Sequence, residues 1–486
     1  MKMTSSKTTS ISGDYARYRE TRIDHWNRRA QAKAPWSFCR GYYHRRLTQI
    51  YQFLVAPGQR VLEIGCGLGD LTATLKPSTG VGVDFSPEML RHAKKRHPHL
   101  RFIQADAHEL TLDETFDVII LSDVINDLWD VQMLFDRLRP LTTPSTRLIL
   151  NVYSHLWEQP ISLAQRLRMA TPTLPQNWLT VEDIAGLLNL SEFETIRSWK
   201  EIIWPIPTPL FNTLCNRYMA KLWPCHHLAL TNFVVARPQA QRLSIKDEPL
   251  VSVIIPARNE EGNIDRIFKE IPEMGRATEL VFVEGHSRDD TYTTIEKAII
   301  AHPERRCRLM KQPGVGKGDA VRVGFAKAAG DIVMILDADL TVPPADLPRF
   351  YEALCSGKGE FINGVRLVYP MEKQAMRFLN LFGNKFFCLA FSWLLGQPIK
   401  DSLCGTKALW KKDYDRIAAN RSYFGDFDPF GDFDLLFGAA KLNLKILDLP
   451  IRYRERIYGT TNIQRWKHGW LLLRMVLFAA GRIKFI

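Results

Sequence analysis

Residues 332–339 read IVMILDAD, an apolar run of strand length that ends in two carboxylates one residue apart. Pro343 and Pro344 follow closely and prevent the strand from continuing. On an extended chain the side chains of Asp337 and Asp339 point the same way, so both can reach one hard cation, which commonly bridges a diphosphate. The alternative is a solvated acidic loop after a core strand. The neighbouring motifs decide between these two interpretations.

Length and composition are those of a globular chain with two or three domains. The 486 residues are 46% hydrophobic and 24% charged, which is typical of a folded protein. The eight cysteines form no Cys-x-x-Cys pair, so neither a zinc knuckle nor a disulfide scaffold is expected, and a reducing, cytoplasmic setting fits best. The polar residues 1–6 lack the apolar core of a signal peptide, so we expect no secretion.

The formal net charge of +13 favours an anionic partner. Nucleic acid, acidic lipid and nucleotide-bearing substrates all meet that condition. The sequence has no basic stripe interleaved with stacking aromatics, no zinc-finger spacing and no RNP-like run. We therefore expect no nucleic-acid partner.

The N-terminal half contains four strand-like runs, each followed by glycines or an acid. Residues 60–71 read RVLEIGCGLGDL, a strand passing into a glycine turn and a helix start, where glycines let the backbone approach a ligand closely. The next run ends in Asp84, about 20 residues after the first glycine, the distance at which a carboxylate meets ribose hydroxyls. Residues 102–107 and 116–123 supply Asp106 and Asp123 at further strand ends. This order predicts a doubly wound α/β sheet with its ligand at the switch point.

These motifs resemble the class I S-adenosylmethionine-dependent methyltransferases, closely over residues 40–152 and more loosely to about Arg237. The resemblance implies S-adenosylmethionine as cofactor, with Gly65 and Gly67 facing its methionine part, Asp84 holding the ribose and Asp106 near the adenine. Residues 14–56, rich in Arg, Tyr and Trp, are predicted to form lead-in helices that cover the cofactor. The cofactor-binding residues carried over are Glu63, Gly65, Cys66, Gly67, Gly69, Asp84, Asp106, Ala107 and Ser122.

A nicotinamide-binding domain is the nearest competing interpretation of this half. The Glu-x-Gly-x-Gly-x-Gly form and the later Asp106-Ala107 pair favour the methyl donor. Methyl transfer depends mostly on positioning and therefore implies no fixed base motif. The residues considered as catalytic candidates for this step are Asn126, Asp127, Tyr153 and His155.

A second α/β domain follows a polar, basic linker at residues 238–248, so we predict domains at 1–237 and 249–486. Residues 250–261 read LVSVIIPARNEE, residues 279–291 read ELVFVEGHSRDDT, and residues 314–320 read GVGKGDA. The strand that ends in Asp337 and Asp339 comes next. This succession resembles the family 2 glycosyltransferases, which have a GT-A nucleotide-diphospho-sugar transferase fold.

The resemblance implies that Asp337 and Asp339 bind Mg²⁺ or Mn²⁺. Two negative charges develop on a departing nucleotide diphosphate, and a divalent cation held by carboxylates stabilises that leaving group. The reading Glu284-Gly285-His286 replaces the two acids and glycine frequent in the family, which leaves the base of the donor open. The donor-binding residues carried over are Pro256, Ala257, Asn259, Glu260, Glu284, Lys317, Asp337 and Arg366.

Three further segments resemble those of polyprenyl (dolichyl) phosphate sugar transferases. Residues 363–366 match a Gly-x-Arg segment, residues 400–407 match Asp-x-x-x-Gly-x-Lys/Arg, and residues 453–462 match Arg-x-x-Gly-x-Ser-Lys. Thr461 stands for the serine and Asn462 for the lysine, so one cation of the lipid-phosphate site is missing. The residues implied to bind the acceptor phosphate are Arg366, Lys407 and Arg456.

The acceptor determines which catalytic residues are needed. A hydroxyl acceptor must lose a proton and requires a carboxylate base, for which Asp401, Asp432 and Asp434 are the candidates. A phosphate acceptor is already ionised and needs cations, foremost Arg456. We favour the phosphate acceptor, and the alternative role for Asp432 and Asp434 is capping of a helix N-terminus.

Residues 386–395 and 470–480 are apolar but shorter than the roughly 20 residues needed to span a bilayer. Because basic residues flank them, we predict helices lying in the surface of the membrane, peripheral at its inner face. Buried core helices are the alternative.

These motifs together predict a fusion of two enzymes, a methyltransferase followed by a metal-dependent, inverting glycosyltransferase. The partners implied are a nucleotide-diphospho-sugar and a polyprenyl phosphate or glycan. The alternative keeps the glycosyltransferase and makes the first domain a non-catalytic S-adenosylmethionine-binding docking or sensing module. A nucleic-acid methyltransferase with a degenerate appendage is a third hypothesis.

Overall fold

The computed structural model describes residues 5–31, 38–167, 173–240, 248–366, 368, 378–421, 431–458 and 465–486. It divides into unit 1, Met1–Gln239 with Phe485–Ile486, and unit 2, Ala240–Lys484. Residues 241–247 of the predicted linker lie outside the described residues, as do Thr461 and Asn462.

Unit 1 is organised around a described sheet of seven strands in the order β3-β2-β1-β4-β5-β7-β6. Its strands are β1 Arg60–Ile64, β2 Thr79–Asp84, β3 Arg101–Gln104, β4 Phe116–Ser122, β5 Thr142–Tyr153, β6 Phe193–Glu201 and β7 Thr231–Pro238. Strands β1 to β5 are parallel, and β7 runs antiparallel to its neighbours β5 and β6. The chain passes outward from β1 to β3 and returns to β4, so the ligand crevice is expected at the carboxyl ends of β1 and β4.

Helices cover both faces of this sheet because successive strand residues point to opposite sides. Leu62 of β1 packs in one core layer with Leu134, whereas Val61 packs in the other with Tyr51. The helices of unit 1 are α1 Ser5–Gln31, α2 Phe38–Leu54, α3 Asp70–Thr74, α4 Pro87–Arg96, α5 Val131–Leu138, α6 Glu158–Arg166, α7 Val181–Leu190 and α8 Phe211–Thr213.

Unit 2 has a second described sheet of seven strands, in the order β10-β9-β8-β11-β13-β12-β14. Its strands are β8 Leu250–Ala257, β9 Ala277–Glu284, β10 Arg306–Lys311, β11 Ile332–Ile335, β12 Phe361–Val365, β13 Lys407–Trp410 and β14 Ile446–Pro450. Strands β8 to β11 are parallel, and β13 runs antiparallel between β11 and β12. The helices are α9 Ile264–Glu270, α10 Thr291–Ala301, α11 Lys317–Lys327, α12 Leu347–Cys355, α13 Phe378–Leu395, α14 Lys411–Ala419, α15 Asp432–Lys441 and α16 Arg465–Ala479.

The chain turns immediately after β11, so the prediction of an extended chain through Asp337 and Asp339 is wrong. The backbone N–H of Leu340 donates to the carbonyl of Asp337 at 3.2 Å, and Leu340 has a φ of +52°. The cause is burial, since Leu336, Ala338 and Leu340 all belong to the core. Alternate burial leaves the two carboxylates outside the core although the chain is not extended.

The two apolar stretches form α13 and α16, which pack against each other. Phe391 and Leu394 of α13 and Met475 of α16 are buried, whereas Leu389 is 73% and Leu477 is 65% exposed. Each helix therefore has one buried and one exposed apolar face. Among the helices that the structure describes, none is long and apolar enough to cross a bilayer.

Candidate functional sites

The glycine loop of unit 1 connects β1 to α3 in backbone conformations that glycine favours. Gly65, Gly67 and Gly69 have φ values of +72°, +52° and +75°. A Cβ at Gly65 would lie 2.8 Å from Cγ2 of Val124, so no larger residue fits there. A Cβ at Gly67 would meet no described atom within 4 Å. The loop is therefore closely packed at Gly65 and borders open space at Gly67.

Asp84 ends β2 and fixes this loop. Its Oδ2 accepts a hydrogen bond of 2.9 Å from the backbone N–H of Gly67, and its Oδ1 accepts one of 2.9 Å from that of Ser86. Burial raises the pKa of Asp84, and the backbone hydrogen bonds oppose that shift. The carboxylate is thus held in one orientation at the carboxyl end of the sheet.

Asp106 is held by His108 and by the N-terminal helix. Its Oδ1 accepts from the backbone N–H of His108 at 3.0 Å and lies 2.7 Å from the ring Nδ1, while Oδ2 lies 3.3 Å from Nε of Arg19. The ring Nε2 accepts from the backbone N–H of Asp130, which assigns the proton to Nδ1. Burial alone would raise the pKa of Asp106, but the hydrogen bonds from His108 and Tyr15 lower it to about 2.

These residues surround a pocket of about 510 Å³, including the space open to solvent. The residues that line it include Tyr15, Tyr18, Arg19, Arg22, Gly65, Asp84, Asp106, Ala107, His108 and Val124. Carboxylates for ribose hydroxyls, a glycine loop and aromatic walls are a donor set that fits S-adenosylmethionine. The side chains of α1 and His108 were not predicted individually, although the Arg- and Tyr-rich lead-in sequence indicated a cover.

Glu63 lies behind the glycine loop and outside the residues that line the pocket. Its carboxylate is buried and accepts a hydrogen bond of 3.2 Å from the backbone N–H of Thr72. Burial raises the pKa of Glu63 to about 7, although the hydrogen bonds from Thr72 lower it in part. Cys66, Gly67, Gly69 and Ser122 are also absent from the pocket lining. Glu63 thus holds the start of α3 through Thr72, and contact of Glu63 with a cofactor stays a prediction.

Two of the residues considered for the methyl-transfer step hold parts of unit 1 together. Asp127 accepts from the indole N–H of Trp26 at 3.1 Å and thereby fastens α1. Asn126 is buried and donates to the carbonyl of Asn177 at 2.7 Å. Asp123, at the end of β4, has a φ of +56° and accepts from the hydroxyl of Tyr43 at 2.9 Å.

In unit 2, the loops after β8 and β9 interlock at the carboxyl edge of the sheet. The backbone N–H of Gly285 donates to the carbonyl of Ala257 at 2.9 Å, and Oδ1 of Asn259 accepts from the N–H of Arg288 at 2.7 Å. Glu284 is buried, and its carboxylate accepts from the N–H of Ser287 at 2.5 Å. The predicted donor residues of these two loops therefore shape one joint surface.

The turn after β11 adds a cluster of alternating charges to the site. Nζ of Lys317 lies 2.6 Å from Oδ1 of Asp337, and the guanidinium of Arg456 lies 2.5 Å from Oδ2 of Asp339 and 3.2 Å from Oε1 of Glu260. Burial raises the pKa of Glu260 to about 7, with Asp339 and Asp337 adding to the shift and Arg456 opposing it. Burial would also raise the pKa of Asp337, but Lys317 brings it below its usual value.

The chemistry of this cluster fits a divalent cation that binds together with a substrate. Asp337 and Asp339 supply hard oxygen ligands and are both partly exposed. Within the described residues, no three His, Cys, Asp or Glu side chains converge as a protein-only metal site. Mg²⁺ is commonly held by one or two carboxylates with phosphate oxygens and water completing its shell. Asp337 and Asp339 would hold such an ion.

Gly405 lies directly against the Lys317–Asp337 pair. A Cβ at position 405 would lie 3.0 Å from Cγ of Asp337 and closer still to its Oδ2 and to Nζ of Lys317. Lys407 of the same segment is fully buried and donates to the carbonyl of Cys404. The Asp-x-x-x-Gly-x-Lys segment thus packs against the Lys317–Asp337 pair through Gly405. Lys407 of this segment is not exposed to an acceptor.

Asp401 and Arg366 form a buried ion pair. Nε of Arg366 donates to Oδ2 of Asp401 at 2.7 Å and NH2 donates to Oδ1 at 2.9 Å, while Asn384 and the N–H of Leu403 also donate to Oδ1. Burial would raise the pKa of Asp401, but Arg366 lowers it below its usual value. Because Asp401 is fully buried and its oxygens are occupied, it is not placed to accept a proton from a substrate. Its partner Arg366 is neutralised in the same pair.

Asp434 lies in the first turn of α15 and pairs with Arg421, whose Nε donates to Oδ2 at 2.7 Å. Asp432 begins α15, but its side chain lies outside the described residues. Gly431 is the N-cap residue that precedes the helix, and a Cβ there would lie 2.6 Å from Cα of Gly318. The backbone at Gly431 is therefore next to that of Gly318, whereas the carboxylate of Asp434 faces Arg421 in a small pocket that Asn420 and Lys441 also line.

Two family models match the chain. The model described as "Methyltransferase domain" matches residues 61–145, and the model described as "Glycosyl transferase family 2" matches residues 252–417. The chain thus contains a methyltransferase domain followed by a family 2 glycosyltransferase domain. The predictions of two α/β domains and of two transferase families are confirmed.

Among similar proteins, a dolichol-phosphate mannosyltransferase from Pyrococcus furiosus is 36% identical over 219 residues, 44% of this chain and 59% of that protein. An undecaprenyl-phosphate 4-deoxy-4-formamido-L-arabinose transferase from Pseudomonas aeruginosa is 34% identical over 112 residues, 22% of this chain and 33% of that protein. The chain thus spans about a third of the length of the first curated relatives it matches. The crystal structure of glucosyl-3-phosphoglycerate synthase from Mycobacterium tuberculosis is 21% identical, with a TM-score of 0.36, covering 49% of this chain and 81% of that one.

Proposed function

We propose that unit 2 transfers a sugar, with inversion, from a nucleotide-diphospho-sugar to a polyprenyl phosphate in a reaction that depends on Mg²⁺ or Mn²⁺. The observation that supports this most is the cluster of Asp337, Asp339 and Glu260 with the cations Lys317 and Arg456. A divalent cation at Asp337 and Asp339 would supply charge neutralisation to the departing diphosphate. Two relatives are named as a dolichol-phosphate mannosyltransferase and an undecaprenyl-phosphate sugar transferase. These names support a polyprenyl phosphate as the class of acceptor.

The distribution of charge in unit 2 favours a phosphate acceptor over a hydroxyl. The hydroxyl reaction needs an available base, and Asp401 is buried with its oxygens occupied. Asp434 stays the described candidate for that role, although it too is buried and pairs with Arg421. Arg456 and Lys317 lie at the partly exposed cluster, where cations can hold phosphate oxygens. A phosphate acceptor, already ionised at neutral pH, requires only those cations.

Unit 1 is proposed to bind S-adenosylmethionine and to transfer its methyl group within the same glycan or lipid pathway. The support is the pocket that brings Gly65, Asp84 and Asp106 together beneath α1. The alternative is a non-catalytic docking or sensing domain. Asp84→Ala should lose S-adenosylmethionine binding in either case, because it removes the acceptor for the N–H groups of Gly67 and Ser86. The two alternatives differ in turnover, so transfer of a labelled methyl group to a glycan or lipid acceptor supports the enzyme.

We further propose that unit 2 associates peripherally with the inner face of the membrane through α13 and α16. These helices expose Leu389, Trp470 and Leu477, and basic residues flank both apolar stretches in the sequence. Binding to anionic vesicles should weaken as salt rises, because the attraction of basic residues is screened. Equal recovery of the protein in the soluble fraction with and without vesicles at low salt would contradict this.

The decisive experiment for the glycosyltransferase is the double variant Asp337→Asn with Asp339→Asn. Removal of both charges should lower sugar transfer at least about 100-fold and abolish metal-dependent nucleotide binding. Asp415→Asn is the matched control, since Asp415 is an exposed carboxylate that pairs with Lys411. Binding of S-adenosylmethionine reports that unit 1 is intact. Metal-dependent donor hydrolysis at the parental rate in the double variant would refute the proposal.

A further inference from the structure

Residues 202–230, which connect β6 to β7 in unit 1, form an insertion with an apolar outer surface. The insertion consists of short helical segments, among them α8 and a π-helix at residues 214–218. Large apolar side chains stand in solvent here: Leu210 is 86%, Trp223 80%, Leu228 61%, Leu214 51%, Phe211 47% and Leu222 44% exposed. Such a concentration of exposed apolar side chains marks an interaction surface.

The insertion is a built platform on which these side chains are held outward. Asn216 is buried, and its Oδ1 accepts from the N–H groups of Ile203 and Trp204, both at 2.8 Å. Its Nδ2 donates to the hydroxyl of Tyr42 on α2 at 2.9 Å. Cys215 and Ala220 are buried beneath the same turns. The segment therefore has its own buried polar centre around Asn216. The exposed apolar side chains lie outside this centre and are not needed to complete its packing.

The surface extends onto the turn before α6. The indole N–H of Trp157 donates to the carbonyl of Leu228 at 2.9 Å, which joins the two segments. The neighbouring Leu156 is 63% exposed. The apolar surface of unit 1 is therefore contributed by two separate parts of the sequence.

The charge of the insertion identifies the kind of partner. Between Ile202 and Leu230 the sequence contains no Asp or Glu, whereas Arg217 and His227 are exposed and Lys200 lies 3.3 Å from the ring of His227. Exposed leucines with Trp and Tyr beside basic residues are the composition of segments that lie in a lipid interface. Residues 202–230 carry only basic charges, although Glu158 follows the adjoining turn, so the insertion itself fits a surface of negative sign, such as acidic lipid headgroups.

We propose that this insertion docks unit 1 on an anionic lipid bilayer, through exposed side chains other than those of α13 and α16. Leu210 and Trp223 enter the boundary between headgroups and acyl chains, and Arg217 and Lys200 remain at the headgroups. The proposal does not depend on the reaction catalysed by either unit.

The test uses the full chain with phosphatidylcholine vesicles that contain phosphatidylglycerol. The background carries Leu389→Ser and Leu477→Ser, so that the exposed faces of α13 and α16 contribute little. In this background Leu210→Ser with Trp223→Ser should weaken vesicle binding at least about tenfold. Leu190→Ser is the matched control, because Leu190 is 66% exposed on α7 outside the insertion and should leave binding unchanged. An unchanged thermal unfolding midpoint verifies that unit 1 remains folded in each variant.

Hydrogen–deuterium exchange on the same background protein locates the contact. Amide exchange in residues 203–229 should slow when vesicles are added and recover in the serine pair. Vesicle binding of the serine pair equal to that of the Leu190→Ser control would overturn the proposal. So would protection of residues 203–229 that rises with protein concentration without vesicles, since a second copy of the chain would then cover the surface.

Discussion

Gly405→Ala is expected to inactivate sugar transfer without unfolding unit 2. The added Cβ would lie 3.0 Å from Cγ of Asp337, whereas ordinary contacts are 3.4–4 Å. The closer Oδ2 of Asp337 and Nζ of Lys317 must therefore retreat by about 1 Å. A displacement of about 1 Å can reduce catalysis about 100-fold. Both obstructing groups are ends of side chains and Gly405 has no positive φ, so the fold itself should tolerate the methyl group.

The assay is kcat/KM for sugar transfer to polyprenyl phosphate, measured beside Mn²⁺-dependent nucleotide binding and thermal unfolding. We expect kcat/KM to fall about 100-fold and the melting temperature to change little. Gly383→Ala on α13 is the control, because a Cβ there meets no described atom within 4 Å. Full activity of Gly405→Ala would refute the argument that Asp337 and Lys317 must keep their positions. A large fall in melting temperature would refute the claim that the methyl group is tolerated.

Arg456→Ala should reduce transfer to polyprenyl phosphate about 10- to 100-fold, because it removes a charge-assisted contact. Asp434→Asn should change the rate far less. The reverse ranking in the same assay, with activity falling as pH drops through the carboxylate range, would indicate a hydroxyl acceptor. The raised pKa of Glu63, about 7 against a usual 4.5, means that folding favours its protonated form. The stability of unit 1 should therefore decrease as pH rises from about 4.5 to 7, and Glu63→Gln should reduce that loss by about 3 kcal/mol in denaturant titrations at the two pH values; an identical pH dependence in the variant would contradict the assignment. Arg366→Met should destabilise unit 2 by about 3–5 kcal/mol, because the buried Asp401 loses its counter-ion. An unchanged denaturation midpoint would show that Asp401 does not require Arg366.

The strands of both sheets were predictable because parallel strands buried on both faces read as continuous apolar runs. Residues 250–255 and 332–336 are examples, and the polar residues after each run mark the carboxyl ends where ligands bind. The course of the chain after Leu336 was not predictable in the same way. Whether Asp337 and Asp339 follow an extended strand or a turn depends on burial of Leu340, a tertiary contact.

The partners of the site residues were the least predictable part of each site. Asp401 appears in sequence as one carboxylate among several, and only packing shows that Arg366 and Asn384 occupy its oxygens. Glu63 belongs to a motif that suggests contact with a cofactor, yet its hydrogen bonds to Thr72 turn it away from the pocket. Sequence spacing gives the order of such groups along the chain but not which donor reaches them first.

If unit 1 binds S-adenosylmethionine as proposed, the wall that α1 provides for the pocket sets how long the cofactor stays bound. Tyr15 and Arg19 are held by hydrogen bonds and an ion pair to His108 and Asp106, not by a sheet ladder. Further along α1, Arg22 and Trp26 contact Asp127, and Asn27 contacts Ser86, so release of a cofactor from beneath α1 would require several contacts to break together. Weaker contacts would shorten each catalytic cycle but let the unreacted cofactor escape sooner. The contacts that fasten α1 would thus balance retention of the cofactor against its release.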